Sequence, residues 1–137
     1  MRTKIMSDWW QWSPIKANQK LGFAVVGIGR FGSAVCRELL RNGADVLAVD
    51  SSEKAIEELR QLEPTIEARV VDSTDEESMK EAGVLEMGTV VVGISEPIEA
   101  SITTTLIAKD TEGSLVKQVI ARATSDLHEK MLKRVGA

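Results

Sequence analysis

The chain has no tyrosine, one histidine and one cysteine, and only two phenylalanines and three prolines among its 137 residues. Each scarcity closes a route. Without tyrosine there is no Tyr-x-x-x-Lys proton relay, and a lone histidine, His128, leaves no Ser-His-Asp or Cys-His arrangement for nucleophilic catalysis. No neighbour stands at metal-ligand spacing from His128, which reads as a solvated position on the last helix. Cys36 alone can form neither an internal disulfide nor a thiolate metal site. It falls near Val35 and Leu39 on a helix-patterned segment and is expected to be a buried, inert thiol, since nothing around it supplies an electropositive setting. Excess positive charge is also missing. A net charge of −4 and a pI near 5.1 offer no general affinity for nucleic acid or an anionic membrane. No apolar run approaches the roughly 18 residues that span a bilayer. The N-terminal stretch lacks an apolar signal-peptide core, so the expected compartment is the cytoplasm.

What is present is concentrated between Leu21 and Asp50, in LGFAVVGIGRFGSAVCRELLRNGADVLAVD. A short apolar run, Phe23 to Val26, feeds the glycines Gly27, Gly29 and Gly32, which open a helix-patterned segment. A second apolar run then ends in Asp50. This is a dinucleotide fingerprint in the context that it requires. Gly27 permits the tight turn, Gly29 lets a pyrophosphate approach the backbone, and Gly32 lets helix and strand pack closely. Unpaired N–H groups at the helix start hold the phosphates. Asp50 can accept both hydroxyls of an adenosine ribose, and its charge would repel a 2′-phosphate. The loop lacks the Gly-Lys-Ser/Thr ending of a P-loop, which disfavours ATP hydrolysis of that type.

The remaining chain repeats a single theme. Helices are expected from Arg30 to Asn42, ended by Gly43, and from a cap at Ser51 or Ser52 to just before Pro64. A third should open with a capping box, Thr74 and Glu77, and close at Gly83. A fourth should run from Pro97, as first helical residue, to about Lys109, and a fifth from Ser125 to Val135 with Leu127, Met131, Leu132 and Val135 on one side. Strands should occupy Phe23 to Val26, Val46 to Val49, Ile66 to Val71, Thr89 to Ile94 and Leu115 to Ala121. Five strands alternating with helices imply a Rossmann-like α/β fold, a doubly wound parallel sheet in order 3-2-1-4-5 with helices on both faces. Ligand should bind at the carboxyl edge between strands one and four. That edge gathers Gly27, Ile28, Gly29, Arg30, Phe31, Gly32, Asp50, Ser51, Asp72, Ser73, Ile94, Ser95 and Arg122. Arg30 can reach phosphate oxygens beyond the pyrophosphate or cross a subunit boundary. Residues 1–20 carry no periodicity but hold all three tryptophans, Trp9, Trp10 and Trp12. They read as a tail resting on the domain of residues 21–137, with a docking element for a partner as the other reading.

A nucleotide cleft with no acid/base group beside it points to a sensor rather than a catalyst. The stretches VVGIGRFG (25–32), VLAVDSSEKAI (46–56), VVDSTDEESMKEAGV (70–84), VVVGISEPIEASITTTLIAK (90–109) and VIARATSDLHEKMLKRVGA (119–137) go further. They resemble the RCK, or TrkA-N, domain of the nucleotide-binding regulatory subunits of Trk/Ktr-type potassium uptake systems. The resemblance implies a cytoplasmic subunit, peripheral to the inner face of the plasma membrane. It would bind ATP/ADP or NAD(H), form homodimers that build a ring in the full-length protein, and gate a membrane-embedded potassium transporter. By position, Gly27 to Gly32 would hold phosphates and Asp50 the ribose. Asp72 and Ser73 would flank adenine, and Arg30 with Arg122 would sense a terminal phosphate. Ser95 stands where many members carry glycine, and it could narrow the approach to the ligand. The chain stops at Ala137, where the family continues into a sixth strand and a C-terminal domain, so an isolated N-terminal domain is expected. The alternative is a fragment of an NAD-dependent oxidoreductase.

Overall fold

The computed structural model describes residues 22–137; the tryptophan cluster lies outside the described residues. Five strands, β1 (Phe23–Val26), β2 (Val46–Asp50), β3 (Glu67–Val70), β4 (Thr89–Val92) and β5 (Gln118–Ala121), form one parallel sheet in the order β3-β2-β1-β4-β5. The expected topology is therefore the observed one. Among the described residues the helices are α1 (Arg30–Arg41), α2 (Glu53–Leu62), α3 (Glu76–Ala82), α4 (Ile98–Asp110) and α5 (Asp126–Arg134), with one 3₁₀ turn at Val84–Glu86.

Side chains alternate across a strand, so the fully apolar β1 feeds two cores at once. Phe23 and Val25 pack with Val35, Cys36 and Leu39 of α1 and Ile56 and Leu59 of α2. Ala24 and Val26 face the other way, onto Met79, Val84, Leu85 and Ala108. Cys36 is fully buried in the first core, and burial, with Glu63 adding a smaller push, raises its thiol to about 12. It is inert, as the sequence suggests.

Element ends differ in informative ways. The cap of α3 is Asp75, which accepts the N–H of Ser78 at 3.0 Å, and not Thr74. Thr74 is already committed: its N–H and hydroxyl both donate to the Asp72 carboxylate, at 3.0 and 2.6 Å. Pro97 is the residue before the first turn of α4 rather than its first member, and the Glu96–Pro97 peptide is cis. Strand β5 begins at Gln118 because residues 111–117 turn under the sheet, where the N–H of Leu115 donates to the Leu85 carbonyl and that of Lys117 to the Gly88 carbonyl.

The largest correction concerns α5. His128 does not face solvent; it is completely buried. Leu127 and Met131, expected on the inner side, are 67% and 40% exposed, and Leu132 is the apolar residue that turns inward. His128 and Leu132 are four apart and share one face. The chain sets that face by giving the histidine partners. The N–H of Thr124 donates to Nδ1 at 3.1 Å, so Nδ1 is unprotonated and the ring proton sits on Nε2, 3.1 Å from Ser101 Oγ. A satisfied imidazole can be buried where a charged one could not.

Candidate functional site

The carboxyl ends of β1, β2 and β4 and the turns that leave them enclose a cleft of about 330 Å³. Its floor is built from the glycine loop. Gly27 has φ +94°, a conformation for which a side chain would be strained, and an added Cβ would also meet Ile94 at 2.9 Å. Gly32 is needed for a different reason. A Cβ there would stand 1.9 Å from the Gly27 carbonyl oxygen, a clash that only backbone movement could relieve. Gly29 is unlike both, because an added Cβ would have no atom within 4 Å. Its role is thus not to pack but to leave the start of α1 open.

That start is also uncapped. Ser52, Asp75 and Ser125 each turn a side-chain oxygen onto the first turn of α2, α3 and α5, whereas Gly29 gives α1 no such bond. The first-turn N–H groups of α1 therefore have no side-chain acceptor, and the positive end of the helix adds to their pull on an anion. Asp50 stands beside them at the tip of β2. Its carboxylate accepts the N–H of Ile28 at 2.6 Å and that of Ser52 at 2.8 Å, which fixes its orientation with lone pairs to spare. These features fit a nucleotide: an open seat for phosphate and, next to it, an oriented acid for a sugar diol.

The opposite wall comes from the end of β3 and from α4. Two hydrogen bonds from Thr74, the hydroxyl's first and the backbone N–H second, hold the Asp72 carboxyl below the usual carboxylate range. Ser73 is buried, its hydroxyl 2.8 Å from that of Thr104, which in turn donates to the Ser73 carbonyl at 3.2 Å. Ser73 thus ties this wall to α4.

Of the residues expected at the site, Gly27, Ile28, Gly29 and Asp50 line the cleft, as do Ser51, Asp72, Ser73 and Ile94. Gly32 lies beneath it. Arg30, Phe31, Ser95 and Arg122 are not among its lining residues. Arg30 is exposed on the first turn of α1, and Arg122 places its guanidinium 5.6 Å from the centre of the Phe31 ring, a cation–π contact. Gly93 lines the cleft, and a Cβ there would meet the Gly27 carbonyl oxygen at 2.9 Å, so its lack of a side chain lets the end of β4 pack against the glycine loop. Sequence reasoning missed it by extending β4 to Ile94, although Gly93 directly follows the three valines Val90 to Val92. Thr74, Glu96, Pro97 and Ala100 also line the cleft without having been expected there.

The TrkA-N domain model matches residues 23–137, the whole of this sheet and its helices. The chain belongs to the TrkA-N family. Ktr system potassium uptake protein C of Bacillus subtilis is 40% identical over 118 residues, which cover 86% of this chain and 51% of that protein. The chain thus spans about half the length of the curated relatives it matches. Among solved structures, the TrkA-N domain of the inner membrane protein YbaL from Escherichia coli superposes with a TM-score of 0.73 at 24% identity, covering 85% of this chain and 82% of that one. The GsuK channel bound to NAD gives 0.70 at 17% identity, covering 85% of this chain and 20% of that one. GsuK bound to ADP gives 0.67 at 15%, covering 97% and 36%. The TrkA-N fold is thereby shown. Among the described residues, no helix is long and apolar enough to cross a membrane.

Proposed function

We propose that this TrkA-N domain, spanning residues 21–137, binds an adenine nucleotide, NAD(H) or ATP/ADP, as the sensor of a potassium-uptake system. The observation that carries the reading is the pairing of an open, uncapped helix start at Gly29 with Asp50 oriented beside it. In this reading the pyrophosphate lies over Gly27 to Gly32 and the adenosine ribose on Asp50. Adenine sits between the Asp72–Ser73 wall and Ile94. Arg30, free to swing from the rim, serves phosphate oxygens beyond the pyrophosphate, with Arg122 behind Phe31.

The relatedness to Ktr potassium uptake proteins supports a transporter as partner. The full-length protein would then work as a homodimer or ring on the cytoplasmic side of a membrane-embedded potassium transporter. GsuK, solved with NAD and with ADP, shows that a protein of this fold takes both ligand types. We assign the domain no catalytic residue. His128 is buried with both ring nitrogens engaged and is not among the residues that line the cleft.

Isothermal titration with NADH, NADPH, ADP and ATP tests the reading. NADH or ADP should bind, and NADPH should bind at least roughly tenfold more weakly than NADH, because its 2′-phosphate would meet Asp50. Absence of binding by all four, or a preference for NADPH, overturns it.

A further inference from the structure

We propose that Glu96 sets the charge preference of this cleft, disfavouring nucleotides with a free terminal phosphate relative to dinucleotides whose pyrophosphate is esterified at both ends. The inference rests on the nucleotide reading above and concerns which member of that class the site accepts best.

The lining is one-sided in charge. It contains three acids, Asp50, Asp72 and Glu96, and no lysine or arginine among the described residues. Two of the acids are occupied. Asp50 receives the Ile28 and Ser52 N–H groups, and Asp72 the N–H and hydroxyl of Thr74. Glu96 differs, for its carboxylate has no hydrogen-bond or ion-pair partner among the described residues.

Its place matters as much as its freedom. Glu96 lies on the turn between β4 and α4, and that turn is pressed onto the glycine loop: the Ile94 nitrogen and the Gly93 carbonyl carbon lie 2.9 and 3.1 Å from where a Gly27 Cβ would be. The acid with no donor on its carboxylate is therefore carried by a turn that packs directly against the phosphate seat. Asp50, by contrast, marks the sugar side. A free terminal phosphate carries roughly two negative charges where a bridging phosphate diester carries one. The cost of Glu96 thus rises from NADH to ADP to ATP. Between exposed charges such a cost is small, on the order of a two- to fivefold change in affinity, and it is screened by salt.

The experiment is titration of the full chain and of Glu96→Gln with NADH, ADP and ATP, free of divalent metal, at about 0.05 M and about 1 M salt. Glu99→Gln serves as control. Glu99 is in the first turn of α4, does not line the cleft, and carries the same charge. Removing Glu96 should tighten ATP roughly two- to fivefold at low salt, ADP less and NADH hardly at all, with the gain gone at high salt. Glu99→Gln should leave the ratio of ATP to NADH affinity unchanged. An equal change for all three nucleotides, no change for ATP, or the same shift in Glu99→Gln overturns the proposal while leaving nucleotide binding intact. Failure of the unaltered chain to bind any nucleotide overturns both.

Discussion

Three glycines in one loop carry three separate duties, and single substitutions should separate them. Gly32→Ala forces a methyl against the Gly27 carbonyl and should lower stability by about 3 kcal/mol or more. Gly29→Ala meets nothing in the fold and weakens only the N-cap of α1, so it should cost much less stability than Gly32→Ala while nucleotide affinity falls, because the methyl occupies the open seat at the start of α1. Thermal denaturation and titration of the two variants together check this; a stable Gly32→Ala or an unaffected ligand affinity in Gly29→Ala would refute the assignment. His128 makes a second residue-level prediction. Burial lowers its pKa below the ordinary 6.5, so the unfolded chain takes up a proton more readily than the folded one. The stability it supports is complete above about pH 6.5 and declines as the pH falls below that value. Urea midpoints should decline over that range in the parent more steeply than in His128→Gln.

At the scale of elements, what the sequence conveyed and what it hid follow one rule. Strand cores and helix cores were legible because they rest on periodicity and apolar runs: β1 and β2 are buried as Phe23–Val26 and Val46–Val49 foretell. Termini depend on which of two polar neighbours wins a hydrogen bond, and that competition is tertiary. Thr74 was the better capping-box residue by pattern, yet Asp72 claims its hydroxyl and Asp75 caps α3 instead. Asp75→Ala should therefore cost about 1 kcal/mol in chemical denaturation. Thr74→Val should cost α3 little, whereas a capping role for Thr74 would reverse that order. The inward turn of His128 was invisible for the same reason, since Ser101 and Thr124 come from different elements. Of the site, the glycine loop and Asp50 could be read from spacing, whereas Gly93 and Glu96 required knowing where β4 stops.

The whole molecule converts strand order into a binding place. Connections leave β1 toward β2 on one side and reach β4 on the other, so the cleft opens where the strand order reverses. Because its walls come from β1, β2, β4 and α4, a ligand held there ties most of the fold together. A nucleotide at a hundred times its dissociation constant should add about 2.7 kcal/mol to unfolding, or roughly 10 °C in melting temperature for a domain of this size. The central claim is tested most directly by a crystal structure of the chain with NADH or ADP. The account predicts pyrophosphate density within hydrogen-bond reach of the α1 first-turn amides above Gly29, with the ribose hydroxyls on Asp50. Density for the ligand anywhere else, or a cleft left empty at saturating concentration, would contradict it.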